Sequence, residues 1–317
     1  LRALDLMRDM SPALFITLDL GIANVKEIEE ANQMGFKVII VDHHEPLNEL
    51  PNAEIIIDPQ QKGDNYSFKG LCNAGLTFKL CEEILGDNFS ESLKNSFLEI
   101  TALATIADMV PRIEDNEIII EEGLRYLKNT FRPGFKAFFD ILGFGEVVAG
   151  GYLKVISALN ASESVDFKNE SYKLLTSSSY DECREIAEKL LAKTQLKQQK
   201  IKEITEEVER RIAGKENEPI IFEGDPAWRL VWAGAVASII AGKLKKPTFI
   251  YRKGDYESCG SVRSLNEGEN SVEAMKTCSN VLMTYGGHAK ASGFRLKTEN
   301  LGKFKECLSD YFKNHKS

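Results

Sequence analysis

The stretch ALFITLDLG (residues 13–21) and the later stretch KVIIVDHHEP (residues 37–46) decide the fold of this chain. Each opens with an apolar run that contains β-branched residues and closes with polar residues that can form a turn. Between them, Asn24 can cap a helix that continues to about Met34. The order strand, short helix, strand predicts a βαβ unit with two parallel strands. Because both runs are apolar throughout, we expect both faces of this sheet to be covered.

The remainder of the sequence continues the α/β pattern in two regions. In the first, we predict strands at 13–18, 37–41 and 54–57 and helices at 24–34, 73–85, 90–108, 116–128 and 133–142. In the second, we predict strands at 219–222, 248–251, 257–263 and 294–296 and helices at 231–244, 271–279 and 301–313. The glycine-rich residues 143–151 predict a hinge, and the charged stretch 180–213 predicts a long helix that bridges two domains. The expected fold class is therefore α/β, with a parallel-sheet domain over 1–142, a hinge and connecting helix over 143–217, and a smaller α/β domain over 218–317.

Composition narrows the class of protein. The chain has 317 residues, of which 43% are hydrophobic and 28% charged, so it can form a sizeable core and is not a disordered or disulfide-rich chain. Its longest apolar runs, such as 230–241, are shorter than the ~20 residues that a membrane-spanning helix needs. The net charge of −8 excludes a basic nucleic-acid coat, although a local basic groove can lie on an acidic body. Six scattered cysteines without a CxxC spacing predict reduced thiols in a cytoplasmic protein.

Acidic and imidazole side chains follow the predicted strands. Asp19 ends the first strand, Asp42, His43 and His44 follow the second, and Asp108 ends a buried apolar helix. In open α/β sheets, ligands bind beyond the carboxyl ends of the strands. Taken singly, Asp19 could be a helix cap, the His pair a turn and Asp108 a helix-end carboxylate. Taken together, carboxylate and imidazole ligands predict a site for Mn²⁺, Fe²⁺ or Zn²⁺.

A second signal lies in the stretch GGHAKASG (residues 286–293). The paired glycines Gly286 and Gly287 let backbone N–H groups approach an anion closely, and His288 can donate a hydrogen bond. Arg263, in GSVRS, could bind phosphate with its guanidinium fork. The alternatives are a tight turn with an exposed histidine and a solvated arginine at a strand end.

These motifs resemble those of the DHH–DHHA1 phosphoesterases, and within them the RecJ family of single-strand exonucleases. The resemblance is carried by ITLDLG, VDHHEP, ATIADMVP, GSVRS and GGHAKASGF, and it extends over nearly the whole chain. It implies a DHH domain joined by a long helix to a DHHA1 substrate-binding domain. It also implies two divalent ions, Mn²⁺ or Mg²⁺, that lie between the domains and activate water for in-line attack on a phosphodiester.

The resemblance assigns a role to each candidate residue. Asp19 would bridge the two ions, and His43 and Asp108 would bind one of them. His44 would contact the scissile phosphate, while Asp42 would orient the histidine pair. From the second domain, the substrate phosphate would be held by His288, Gly286, Gly287 and Arg263.

Three departures from the family pattern modify these expectations. The family's opening Asp-x-Asp motif lies upstream of ITLDLG, and the sequence starts too late to contain it, so we expect this exact chain to have little or no metal-dependent nuclease activity. The stretch LNASES (residues 159–164) and Arg229 replace residues that the family uses for its grip on nucleic acid. The chain also stops before the OB-fold that usually follows in bacterial members.

The expected function is hydrolysis of single-stranded DNA, 5′→3′ with release of 5′ mononucleotides, in cytoplasmic DNA repair and recombination. One alternative is a phosphodiesterase of short oligonucleotides or nucleotides. Another is a catalytically inactive binding subunit associated with replication. Expected partners are single-stranded DNA or short oligonucleotides and replication or repair proteins, with no membrane.

Overall fold

The computed structural model divides the chain into two compact units, Leu1–Leu191 and Ala192–Ser317. The residues it describes are 2–46, 49–143, 150–162, 164–165, 168–215, 217–265 and 269–314. The predicted hinge at 143–151 lies mostly outside these ranges. The predicted domain limits of 1–142, 143–217 and 218–317 remain a prediction.

The first unit is organised by a three-stranded parallel sheet in the order β1-β2-β3. Its strands are β1 (Leu14–Leu18), β2 (Lys37–Val41) and β3 (Ile55–Ile57). The predicted βαβ unit is confirmed, because β1 and β2 pair in parallel with α2 (Val25–Gln33) between them in the chain. One side of the sheet packs with Ile28 and Ala31 of this helix, which are buried.

The helices of the first unit form most of its core. They are α1 (Arg2–Met7), α2, α3 (Asn73–Leu85), α4 (Glu91–Ala107), α5 (Glu114–Leu127), α6 (Pro133–Leu142), α7 (Tyr152–Leu159) and α8 (Glu170–Thr176). The largest core cluster joins Phe135 and Phe138 of α6 with Val155 of α7 and Leu174 of α8. Helices α1, α7 and α8 were not predicted. The last two contribute to the core of the first unit even though they follow the predicted hinge.

The long helix α9 spans Tyr180–Ile212, close to the predicted 180–213. Cys183, Ala187 and Leu190 pack in the core of the first unit. Ile204 and Val208 pack in a core cluster of the second unit. A helix with two separate buried patches can remain highly charged elsewhere along its length.

The second unit contains a five-stranded sheet in the order β6-β7-β8-β10-β9. Its strands are β6 (Ile221–Asp225), β7 (Thr248–Arg252), β8 (Glu257–Arg263), β9 (Thr284–His288) and β10 (Ala291–Lys297), numbered after the short first-unit hairpin of β4 (Ser164–Val165) and β5 (Lys168–Asn169). Only β6 and β7 pair in parallel. The sequence predicted no strand at β9 and began β10 too late, because glycines are unfavourable in strands and hide the pattern.

Helices lie on both sides of this sheet. They are α10 (Leu230–Leu244), α11 (Ser271–Thr277) and α12 (Leu301–Asn314). Helix α10 packs with Ile221 and Ile250, whereas Phe249, Phe294 and Phe304 form a separate cluster with α11 and α12. In the parts of the chain that the structure describes, no helix is long and apolar enough to cross a membrane.

The expectation that all cysteines are reduced is wrong for one pair. Cys278, which ends α11, forms a disulfide with Cys307 of α12. Packing of these two helices brings the Cα atoms to 6.0 Å, within the range that a disulfide spans. Cys72, Cys81, Cys183 and Cys259 are free thiols.

Candidate active site

Three aspartates follow the three parallel strands at the same level of the sheet. Leu18, Val41 and Ile57 are in register, so the residues that follow them are Asp19, Asp42 and Asp58. The sheet therefore places three carboxylates at one edge. Their surroundings differ, because the side chain of Asp19 is 61% exposed while Asp42 and Asp58 are buried.

Asp19 lies in a sharp turn at the end of β1. Its backbone φ is +66°, a left-handed conformation that costs a typical residue about 1–2 kcal/mol but is tolerated by Asp and Asn. Its N–H donates to the carbonyl of Val41 at 3.0 Å. The turn continues through Gly21, where φ is +126° and a Cβ would lie 2.7 Å from Thr17 Oγ1. Glycine is required there because a side chain would collide with the strand that precedes the turn.

Asp42 holds the loops around it by accepting hydrogen bonds. Its Oδ2 accepts from Ile22 N–H at 3.0 Å, and its Oδ1 accepts from His43 N–H at 2.8 Å and from His44 Nδ1 at 2.6 Å. Burial alone would raise the pKa of Asp42, but these hydrogen bonds together outweigh burial and hold the pKa below its usual value. Asp42 is thus a fixed carboxylate that positions both histidines.

His43 faces two carboxylates with its outer nitrogen. Its Nδ1 lies 3.2 Å from the carbonyl of Leu71, which can only accept, so Nδ1 carries a hydrogen. Nε2 lies 3.2 Å from Asp19 Oδ1 and 3.7 Å from Asp108 Oδ2. In the neutral tautomer that the Leu71 contact selects, Nε2 offers a lone pair beside two carboxylate oxygens, which together are ligand atoms for a cation. This arrangement therefore fits a positively charged ligand.

Asp108 reaches the cluster from the end of α4. It is the C-cap residue of that helix, and Met109 after it has a φ of +58°, which turns the chain away. The carboxyl end of a helix carries a partial negative charge, which adds to the attraction for a cation. The Asp108 and Asp19 side chains also share the lining of a cavity of ≈ 690 Å³ whose other walls, including Leu18 and Phe135, are mainly apolar.

His44 lies beside the cluster with its ring more than half exposed. Its hydrogen bond to Asp42 raises the pKa of His44, against the opposite effect of burial. One ligand atom each from Asp19, His43 and His44 lies within 4.8 Å of the others. The structure thus brings together all five residues that were predicted for the metal and catalytic roles; the individual roles stay predictions.

The residues predicted to bind phosphate lie in neighbouring strands of the second unit. Arg263 of β8 pairs with Ala291 of β10, which pairs with His288 of β9. The strand register therefore aligns the backbone positions of Arg263 and His288 across the three strands. The Arg263 guanidinium donates through Nη1 to the carbonyl of Val262 at 2.8 Å. The side chain of His288 lies outside the described residues.

The two glycines of this motif have different local surroundings. At Gly287, φ is +124° and a Cβ would lie 2.6 Å from the carbonyl oxygen of Ala291 and 2.7 Å from the Cα of Ser292. At Gly286, a Cβ would meet no described atom within 4 Å. Backbone geometry therefore requires a glycine at position 287, whereas a larger residue would fit at position 286. The motif forms a β-hairpin rather than only a tight turn.

Two residues near the site were not predicted from the sequence. Asn73, the first residue of α3, contacts through its amide the backbone of Asp19, which follows β1, and the backbone of Val41 in β2. Asp58 is 2% exposed, and its Oδ1 accepts from Gln60 N–H at 2.8 Å, while Oδ2 has no hydrogen-bond partner among the residues that the structure describes. The position of Asp58 directly after a predicted strand was a signal that could have identified it. No sequence pattern marks Asn73, because its contacts are with backbone atoms of distant strands.

Comparison with known proteins places this site in a family. The model of the DHH family, N-terminal domain, matches residues 2–105. The single-stranded-DNA-specific exonuclease RecJ of Bacillus subtilis (strain 168) is 31% identical over 310 residues, which are 95% of this chain and 38% of that protein. Residues 2–105 of this chain therefore belong to the DHH family. RecJ of Escherichia coli (strain K12) is 28% identical over 322 residues, which are 94% of the chain and 56% of that protein.

Solved structures of DHH-family relatives share the fold. RecJ from Thermus thermophilus in complex with Mn²⁺ superimposes with a TM-score of 0.84 at 24% identity, covering 100% of this chain and 47% of that protein. An exonuclease RecJ bound to manganese gives a TM-score of 0.79 at 24% identity, covering 95% of this chain and 75% of that one. The expected α/β fold class, with a parallel sheet in the first unit, is thereby confirmed. The chain spans 38% and 56% of the lengths of the two curated relatives named above.

Proposed function

We propose that this chain forms the catalytic body of a metal-dependent exonuclease that hydrolyses phosphodiester bonds of single-stranded DNA. One observation carries the proposal: Nε2 of His43 faces the carboxylates of Asp19 and Asp108 at the carboxyl ends of parallel strands. The relatives named RecJ, which are single-stranded-DNA-specific exonucleases, support it over nearly the whole length of the chain.

The donor set suits Mn²⁺ or Mg²⁺. Carboxylate oxygens suit both ions, and an imidazole nitrogen favours Mn²⁺. Asp19, His43 and Asp108 would hold the metal. When bound, such ions activate a water molecule and neutralise charge on the phosphate.

The protein residues orient the reactants. Asp42 holds the backbone of His43 and the ring of His44, and the raised pKa of His44 favours a protonated ring that can donate to a phosphate oxygen. In the second unit, Arg263, His288 and the N–H groups at Gly286 and Gly287 would bind the substrate phosphate. The proposed direction is 5′→3′ with release of 5′ mononucleotides, in the cytoplasm, during DNA repair and recombination and together with replication or repair proteins.

The test is a nuclease assay with Mn²⁺ on single strands labelled at either end. It uses the 317-residue chain and, where its gene reads further upstream, the longer product. Asp108→Asn should reduce turnover by at least about 100-fold, the upper range for groups that merely support a metal ligand. Asp87→Asn is the matched control, since Asp87 is an exposed carboxylate of the same unit in the turn Gly86–Asn88.

Each outcome has a distinct meaning. Turnover that survives Asp108→Asn contradicts the proposed site. Cleavage restricted to strands of a few nucleotides identifies a short-oligonucleotide phosphodiesterase, and binding without cleavage by any form identifies an inactive binding subunit. Activity of the 317-residue chain that depends on Asp108 would show that the expectation of inactivity is wrong.

A further inference from the structure

Asn73 connects the ends of β1 and β2 through its buried amide. The residue is 6% exposed and begins α3. In the amide orientation that its neighbours dictate, its oxygen accepts from Asp19 N–H at 2.8 Å and its nitrogen donates to the carbonyl of Val41 at 2.8 Å. The opposite orientation would set oxygen against carbonyl and NH₂ against N–H, so hydrogen bonding selects this one.

The contact matters because of the conformation of Asp19. This residue is left-handed, and its side chain is 61% exposed, so few contacts restrain the carboxylate directly. The Asp19 N–H nevertheless has two acceptors, the Val41 carbonyl at 3.0 Å and the Asn73 amide oxygen at 2.8 Å. The backbone is therefore fixed at the point from which the carboxylate extends to within 3.2 Å of His43 Nε2.

We infer that Asn73 is a positioning residue, whose side-chain amide holds the backbone of Asp19 so that its carboxylate faces His43 as a metal ligand. The part of this inference that concerns the metal rests on the proposed function. The part that concerns the backbone position of Asp19 rests on the structure alone. An amide suits this task because it satisfies both a donor and an acceptor without adding charge beside Asp19 and Asp42. A carboxylate at position 73 would set an oxygen, in place of the donating NH₂, against the Val41 carbonyl.

A purely structural role is the competing explanation, because any buried amide contributes to stability. Thr130 provides a control for this effect. It is buried in the same unit, and its Oγ1 donates to Glu99 Oε2 at 2.7 Å, outside the cluster of Asp19, His43 and Asp108. Thr130→Val therefore removes this buried hydrogen bond, and the one that Oγ1 accepts from Arg132 N–H at 3.1 Å, without touching the turn at Asp19.

The experiment compares wild type, Asn73→Ala and Thr130→Val with two readouts. The first is the exchange rate and backbone chemical shift of the Asp19 amide by NMR, without metal. The second is Mn²⁺ affinity, measured from the EPR signal of free Mn²⁺. We expect Asn73→Ala to accelerate exchange at Asp19 and to weaken Mn²⁺ binding by about 10-fold or more, as is typical for loss of a group that supports a ligand. Thr130→Val should change neither readout.

Two results would overturn the inference: unchanged Asp19 exchange and shift in Asn73→Ala, or a loss of Mn²⁺ affinity no larger than in Thr130→Val. If the wild type binds no Mn²⁺, the proposed metal site is wrong. The exchange rate and chemical shift of the Asp19 amide then still show whether Asn73 restrains the backbone of Asp19. Should Asn73→Ala fail to fold, Asn73→Ser, whose side chain is shorter, takes its place under the same two readouts.

Discussion

The two units build their candidate sites in opposite ways. In the first unit, the residues follow strands: Asp19 and Asp42 lie in the turns just beyond β1 and β2. In the second, Arg263 and Gly287 lie inside antiparallel strands, where the ladder of backbone hydrogen bonds fixes them. A turn has no ladder, so its geometry depends on side chains that bind backbone groups. A residue inside a strand needs instead a side chain of suitable volume and a compatible backbone φ.

The largest expected effect breaks the turn-based site. Asp42→Ala removes the acceptor of Ile22 N–H, His43 N–H and the His44 ring at once. Because buried donors are then left unsatisfied, we expect the free energy of unfolding to fall by about 3 kcal/mol. Urea unfolding followed by far-UV circular dichroism measures the loss, and hydrogen exchange should accelerate first at Ile22 and His43.

Asp225 in the second unit is the matched control for this change. It also ends a parallel strand and accepts from Ala227 N–H at 2.9 Å and from Arg211 at 2.7 Å, but it is only partly buried. Asp225→Ala should therefore cost about 1 kcal/mol, as is usual for a solvent-screened pair. Equal losses of unfolding free energy in the two variants would mean that burial does not make the hydrogen bonds of Asp42 more stabilising than those of Asp225.

The second effect tests the strand-based site. Gly287→Ala must place a methyl group 2.6 Å from the Ala291 carbonyl at a φ of +124°, so we expect a loss of about 2 kcal/mol. Gly286→Ala adds the same methyl group where nothing lies within 4 Å, and its effect should stay within about 0.5 kcal/mol. Urea unfolding followed by the fluorescence of Trp228 and Trp232, both in this unit, distinguishes them. Similar losses at adjacent positions would refute the assignment of the strain to Gly287.

The same contrast explains what the sequence could predict. Strands β1 and β2 were predicted because their apolar runs carry the pattern, and Asp19, His43 and Asp108 because polar residues after buried elements converge at one edge of a sheet. Strand β9 was missed because its glycines suppress strand propensity, and only its pairing with β10 reveals it.

Contacts that arise only after folding were beyond prediction. The disulfide between Cys278 and Cys307 depends on the packing of α11 against α12, which no spacing in the sequence encodes. The amide of Asn73 acts on backbone atoms of two strands far from it in the chain. The sequence therefore indicates which side chains carry chemistry more readily than it indicates which residues hold them.

The smallest expected effect concerns Asp58, which follows β3 as Asp19 and Asp42 follow β1 and β2. Burial raises the pKa of Asp58, and the charge of Asp42 adds to this effect; the Gln60 N–H, His43 and His44 oppose it. Since the folded state then binds the proton more tightly than the unfolded state, stability falls as pH rises above about 4. Asp58→Asn lacks this loss and keeps the acceptor for Gln60 N–H. Without metal, the free energy of unfolding of Asp58→Asn, relative to that of the wild type, should rise by on the order of 1 kcal/mol between about pH 3.5 and pH 7.

Urea midpoints across this pH range measure the difference, with the exposed Asp87→Asn expected to follow the wild type throughout. A difference that is constant with pH would show that Asp58 has the same pKa in both states, and that its burial carries no electrostatic cost.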